Sequence, residues 1–199
     1  MSDWDEVYRS KPALWSGRPG PLLVRELTGL APGRALELGC GEGADALWLA
    51  GEGWRVDGLD ISTVALERAD ARARELGLQS RVHWQRQDLS SWRAENVYDL
   101  VSVQFLHSIG LDREPILIEA THAVAPGGTL LIVSHRAVPH WSGLAEAPEQ
   151  PSAAELADRI GVSGPDWRID LVDEVERTAT HADGRTEIVS DSVLRAIRR

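Results

Sequence analysis

Three glycines at alternate positions, Gly39, Gly41 and Gly43, stand between a short apolar run and an alanine-rich one, and no other stretch of the 199-residue chain restricts its fold as much. Ala35, Leu36 and Leu38 read as a buried strand, and Ala44 to Ala50 as a helix. A strand that turns through glycines into a helix is the first unit of a nucleotide-binding α/β sheet. Gly39 permits a positive φ at the bend, Gly41 leaves no Cβ where a ligand touches backbone, and Gly43 lets the helix begin close to the sheet.

Later stretches extend this unit. Trp54 to Asp60 reads as the second strand, and Asp60 lies close to the ~20-residue spacing at which an acid chelates ribose hydroxyls. Ser62 is an N-cap for a helix with apolar positions 65, 66, 69, 73 and 76, stopped by Gly77. A third strand is expected over Arg81 to Gln87, ending at Asp88 and Leu89. The fourth covers Tyr98 to Val103, with Gln104 to His107 at its carboxyl end, where open α/β sheets bind ligands. A helix from about Glu114 to Val124, ended by Pro126-Gly127-Gly128, precedes a fifth strand from Thr129 to His135.

Residues 136–151 form a long proline-containing loop, read as a substrate lid. Ser152 and Glu155 then make a capping box for a short helix ending at Gly161. An extended run bearing Ile169, Leu171 and Val175, the turn signal Asp183-Gly184 and a strand from Ile188 to Ile197 give a closing hairpin. The expected fold class is α/β: a single-domain, Rossmann-like, seven-stranded sheet, mostly parallel with a C-terminal antiparallel hairpin, and helices on both faces. Its parts are an N-terminal cap or helix over 1–33, a cofactor-binding core over 34–135, a lid loop and short helix over 136–165, and the hairpin over 166–199.

Glu37-Leu38-Gly39-Cys40-Gly41-Glu42-Gly43 resembles the first motif, E/D-x-G-x-G-x-G, of the class I S-adenosylmethionine-dependent methyltransferases. Dinucleotide enzymes usually place the third glycine one residue later, and position 44 is Ala. No Lys or Arg lies between 35 and 54 to meet a phosphate, whereas an acidic turn with Glu37 and Glu42 suits a sulfonium. Pro126-Gly127-Gly128-Thr129-Leu130 is a second shared feature. Trp4, Tyr8 and Trp15 around Trp15-Ser-Gly-Arg-Pro19 are similar to the N-terminal cap of small-molecule thiopurine and tellurite methyltransferases; an N-terminal helix simply packed on the sheet is the other reading of these aromatics.

The resemblance implies S-adenosyl-L-methionine as cofactor. It implies Glu37, Gly39, Cys40 and Gly41 at the methionine end, Asp60 and Ile61 at the ribose, Asp88 and Leu89 at the adenine, and Gln104 near the sulfonium. Trp15 and Arg18 would approach the cofactor from the N-terminal segment. The methyl acceptor would be a small molecule with a soft sulfur or chalcogen, or an oxygen or nitrogen, attacked by in-line displacement. Gln104 to His107 departs from the N/D-P-P-Y/F pattern of enzymes that methylate nucleobase amines.

His107 and His135, at the carboxyl ends of the fourth and fifth strands, are the candidate general bases; strand-end histidines that merely bond backbone are the competing reading. His140 and Trp141 in the lid are candidates for acceptor contact. No H-x-x-x-H or H-E-x-x-H spacing occurs among the six histidines, so no metal is expected. A formal charge of -10 argues against nucleic acid as a partner. The lone Cys40 and the lack of an 18-residue apolar run leave a cytoplasmic protein, with no membrane partner, as the expectation. Two rival functions remain. An NAD(P)-dependent Rossmann reductase is disfavoured by the glycine spacing, the hairpin ending and the lack of a Tyr-x-x-x-Lys pair. A non-catalytic module that binds an adenosyl ligand stays open, because no residue is compulsory for chemistry.

Overall fold

The computed structural model describes residues 4–107, 111–137, 150–180 and 184–199. Its central strands are continuous apolar runs because both faces of the sheet are covered, which is how parallel strands between helices read. β1 (Arg34–Leu38) is buried after its first residue, and β4 (Tyr98–Gln104) and β5 (Val124–Ala137) are nearly as enclosed. β2 (Arg55–Asp60), β3 (Val82–Arg86), β6 (Trp167–Thr180) and β7 (Thr186–Arg198) complete one sheet in the order β3-β2-β1-β4-β5-β7-β6. Only β7 runs against its neighbours, lying between β5 and β6. The expected fold class is therefore the observed one. Chain order reverses between β1 and β4, the switch point outside whose strand ends α/β sheets open a crevice.

Helices α1 (Trp4–Arg9), α2 (Pro21–Leu27), α3 (Ala44–Gly51), α4 (Thr63–Glu75), α5 (Glu114–His122) and α6 (Ala153–Arg159) surround the sheet. Leu23 and Leu49, from α2 and α3, pack with Leu100, Leu131 and Val193 on one face. Leu117 and Leu156, from α5 and α6, pack with Val101, Leu130 and Leu194 on the other. Ser62 caps α4 by accepting from the Ala65 N–H at 3.1 Å, and Ser152 with Glu155 closes the capping box of α6. Leu76, the last apolar position of that helical pattern, is the C-cap of α4 and is 48% exposed.

One boundary moves for a clear reason. α5 stops at His122, and β5 already begins at Val124, so Pro126-Gly127-Gly128 lies inside the strand. The register shifts there between Tyr98 and Leu100, and a Cβ on Gly128 would stand 2.9 Å from the Tyr98 carbonyl oxygen. The glycines thus form an irregularity that brings β5 against β4. Most of the expected lid, with His140 and Trp141, and Asp183 of the hairpin turn lie outside the described residues.

Gly43 illustrates how tightly the first βα unit is built. Its φ is 77°, and an added Cβ would lie 2.7 Å from Trp84 Cη2 and 2.9 Å from the Ala69 Cβ. Gly43→Ala is expected to destabilise the protein by about 2–5 kcal/mol, summing left-handed strain and overpacking. A urea unfolding curve with an unmoved midpoint would contradict this.

Candidate active site

The turn after β1 is shaped by three positive φ angles, 73° at Gly39, 54° at Gly41 and 77° at Gly43. Gly39 and Cys40 donate their N–H groups to the Leu59 carbonyl at 2.8 and 3.0 Å, which ties the end of β1 to that of β2. Asp60 then joins turn and helix: Oδ2 accepts from the Gly41 N–H and Oδ1 from the Ser62 N–H, both at 2.8 Å. Gly41 lines the cavity described below, and the protein's own aromatics stand where its side chain would be. A Cβ there would meet Tyr8 Oη at 2.8 Å and Trp15 Nε1 at 3.7 Å.

The N-terminal segment reaches this turn through polar fastenings. Glu42 Oε2 accepts from the backbone N–H groups of Leu14 and Trp15 at 3.1 and 3.2 Å. Arg68 donates to Glu42 Oε1 at 2.7 Å and to the carbonyls of Tyr8 and Lys11, each at 2.9 Å. Asp5 accepts from Ser62 Oγ at 2.6 Å, and Asp45 accepts from the Gly20 N–H at 2.6 Å. Tyr8 is buried while Trp15 is 58% exposed, and both line the cavity below with Trp4. Tyr8 thus packs against the turn, and all three aromatics face the cavity.

A cavity of about 870 Å³ opens at the carboxyl ends of the central strands. Every residue assigned from the sequence to cofactor or catalysis lines it: Trp15, Arg18, Glu37, Gly39, Cys40, Gly41, Asp60, Ile61, Asp88, Leu89, Gln104, His107 and His135. Its first half is acidic. Glu37 is buried, and its Oε2 finds no hydrogen bond among the described residues. Burial, and then the charges of Asp45 and Asp60, push Glu37 well above the usual carboxylate range. Burial likewise raises Asp60, against the lowering effect of the backbone N–H groups of Ser62, Gly41 and Ile61. The Cys40 thiol is raised chiefly by burial, which fits a small filler. Asp88 is a turn aspartate that also faces the cavity; Ser90 donates to its Oδ1 through both N–H and hydroxyl and holds it below the usual range. Gln104 Nε2 donates to Ser102 Oγ at 3.0 Å.

The second half is built on aromatic rings. Phe105, a non-glycine residue at φ 48°, turns the chain out of β4 and lays its ring 4.5 Å from that of His135. The His107 and His135 rings stack at 5.1 Å, and His107 Nε2 accepts from the His135 backbone N–H at 3.2 Å. Burial, then Arg113 and His135, push His107 down to about 3, so its ring is neutral. His135 Nδ1 lies 3.0 Å from Asp191 Oδ1, and Arg177 Nε donates to Asp191 Oδ2 at 2.6 Å. Sequence reading missed Asp191, Arg177, Asp45 and the exit bend at Phe105. Asp191 is the register partner of His135 across β7 and β5, a pairing that only the folded sheet creates. His83 and His122 stand apart beside Asp57 and Glu119, and no metal-binding cluster occurs among the described residues. No described helix is long and apolar enough to cross a membrane.

Comparison with known proteins agrees with this geometry. The family described as "Methyltransferase domain" matches residues 35–128, from β1 into β5. Ribosomal RNA small subunit methyltransferase C of Alcanivorax borkumensis is 30% identical over 136 residues, covering 66% of this chain and 41% of that protein. Thiocyanate methyltransferase 1 of Arabidopsis thaliana is 28% identical over 145 residues, covering 70% and 64%. The chain thus spans about half the length of the curated relatives it matches. Among solved structures, a protein studied for the conversion of a disulfide bond into a thioacetal group during echinomycin biosynthesis is 30% identical, with a TM-score of 0.73 over 98% of this chain and 91% of that one. An acidic glycine turn at the switch point, a sheet closed by an antiparallel hairpin and these matches have one common explanation: the chain belongs to the class I S-adenosylmethionine-dependent methyltransferases.

Proposed function

We propose that the protein transfers a methyl group from S-adenosylmethionine to a small-molecule acceptor by in-line displacement. The observation that carries this reading is one continuous cavity with two unlike halves, an acidic one at the glycine turn and an aromatic one around His107 and His135. The acidic half suits the cofactor, whose amino and sulfonium groups are cations. Glu37 Oε2 is a buried acceptor awaiting a donor, and burial, with Asp45 and Asp60 beside it, raises the energy of the Glu37 charge, which a cation would offset. A pyrophosphate placed there would meet the like charges of Glu37, Asp45 and Asp60, which disfavours the reductase reading.

When bound, S-adenosylmethionine supplies an electrophilic methyl group on a positively charged sulfur. The residues of the chain do the rest. Glu37 would receive the amino group, Asp60 the ribose hydroxyls, and Asp88 with Leu89 the adenine edge, while Trp4, Tyr8 and Trp15 shield the turn from water. Holding two reactants in line can supply on the order of 7–11 kcal/mol of the barrier, so positioning and desolvation carry most of the catalysis. His107 and His135 mark where the acceptor lies.

The acceptor is a small molecule of the soft sulfur, chalcogen, oxygen or nitrogen kind. The charge of -10 and the aromatics that roof the cavity favour it over RNA, although one relative is a ribosomal RNA methyltransferase. Calorimetric titration of the purified protein with S-adenosylmethionine, S-adenosylhomocysteine and NADH tests the cofactor. Micromolar binding of the first two is expected, followed by turnover in a screen of thiol, chalcogenide and phenol acceptors. Binding of NADH alone would return the protein to the reductase class, and cofactor binding with no turnover on any acceptor would favour a binding module.

A further inference from the structure

The aromatic half of the cavity holds more machinery than positioning requires. Asp191 is 1% exposed, and as a carboxylate it can only accept hydrogen bonds. Burial pushes it up, but the bonds from His135 and Arg177 outweigh burial and hold it below the usual range, so it is ionised. The 3.0 Å contact therefore places the hydrogen of His135 on Nδ1, and the ring's second nitrogen, Nε2, is left with its lone pair. Among the described residues, nothing hydrogen-bonds to that nitrogen. Arg177 lies 3.4 Å from the same Nδ1, but a protonated Nδ1 cannot accept from it; its hydrogen bonds go to both oxygens of Asp191, at 2.6 and 3.3 Å.

His107 is fixed in the opposite sense. Its Nε2 accepts from the His135 backbone, so its hydrogen sits on Nδ1, and the ring has no free lone pair with which to take a proton. Burial, and then the positive charge of Arg113, whose Nη1 donates to Ser134 Oγ at 3.2 Å, keep His107 neutral. Of the two histidines, only His135 is built to receive a proton. The groups facing it are Asp191 on β7, Arg177 on β6, and His107 and Phe105 just beyond β4. Apolar walls from Phe105, Leu106, Leu111 and Val175 border the same space.

We propose that Asp191, anchored by Arg177, orients His135 as the base that deprotonates the methyl acceptor, and that the acceptor is an un-ionised aromatic hydroxyl compound. This rests on the methyltransferase reading above. A preformed anion such as thiocyanate needs no proton acceptor, whereas a neutral phenol does. In the step, the hydroxyl proton passes to His135 Nε2 as an oxygen electron pair bonds to the methyl carbon. The carbon–sulfur bonding pair returns to the sulfur of the methylsulfonium donor, which leaves as a neutral thioether. The imidazolium, balanced by Asp191, then gives its proton to water. Asp191 and Arg177 are positioning residues; His135 is the catalytic one.

The test compares the wild-type protein with His135→Gln and Asp191→Asn on two phenols of similar shape at mildly alkaline pH: 4-methoxyphenol, which is un-ionised there, and 4-nitrophenol, which is ionised. Each variant is first titrated with S-adenosylmethionine. With cofactor binding retained, His135→Gln is expected to lower kcat on 4-methoxyphenol by about 10²- to 10⁴-fold. Its loss on 4-nitrophenol should be much the smaller, and Asp191→Asn should show the same ordering. A merely structural role would slow both phenols alike. Equal losses, no loss, or wild-type turnover confined to 4-nitrophenol or to thiols overturns the proposal and leaves the methyltransferase reading standing. Failure of the wild type to bind S-adenosylmethionine overturns that reading, and this proposal with it. If Asp191→Asn does not fold, the His135→Gln comparison decides alone.

Discussion

Glu37→Gln is expected to make the free protein more stable at neutral pH while lowering its affinity for S-adenosylmethionine by at least about 10²-fold. The two effects share one cause. Glu37 is an acid whose folded-state pKa is raised, first by burial and then by Asp45 and Asp60. Between its ordinary value and that raised value the folded chain binds more protons than the unfolded one, so stability falls as pH rises through this window. The benefit is present in full only below the ordinary glutamate value. Glutamine keeps the shape, removes the charge, and should recover on the order of 1–3 kcal/mol at neutral pH. Each kcal/mol corresponds to roughly 2–4 °C in Tm for a chain of this size. The bound state reverses the sign, because the amide would leave the cofactor's ammonium buried without its counter-charge, a loss of roughly 3–5 kcal/mol, and every 1.4 kcal/mol is tenfold in Kd. Thermal melts from pH 5 to 8, with and without cofactor, separate the effects; a variant less stable than wild type when free would refute the account of the raised carboxylate.

Asp60→Ala is expected to remove measurable cofactor binding and to weaken the fold as well. Its two oxygens hold the N–H groups of Gly41 and Ser62, both at 2.8 Å. Without them two buried donors lose their partner, each at a cost of roughly 1–3 kcal/mol, offset in part by relief of a carboxylate that burial disfavours. The glycine turn then loses its tie to the start of α4, and on the proposed function the ribose loses its acceptor as well. Asp60→Asn keeps one acceptor oxygen and turns its amide towards the other N–H, so binding between wild type and alanine is expected. Calorimetry on all three proteins checks the order; alanine and wild type binding alike would show that Asp60 serves the turn and not the ligand.

Much of this site was legible in the sequence because it rests on local constraints. Gly39, Gly41 and Gly43 announce a turn that few other residues can make, and the strand-end position of Asp60 follows from an apolar run ending in a carboxylate. Ser62 and the Ser152–Glu155 box were readable because caps act within four residues. What escaped depends on distant partners. Pro126-Gly127-Gly128 looks like a helix stop, yet it lies within β5, because close approach to Tyr98 decides its conformation. The approach of Tyr8 to Gly41, across more than thirty positions, likewise has no local signal. Asp191 carries no local signal at all in a run of polar and apolar residues that reads as an ordinary hairpin strand.

Because β7 is inserted antiparallel between β5 and β6, Asp191 arrives at the cavity from the far end of the chain, long after the glycine turn has been laid down. The N-terminal segment and residues 37–89 line the acidic side of the cavity, and Val175, Arg177 and Asp191 of the hairpin complete its aromatic side. On the proposed function, changes confined to the hairpin would retune which molecule is modified while leaving the glycine turn untouched.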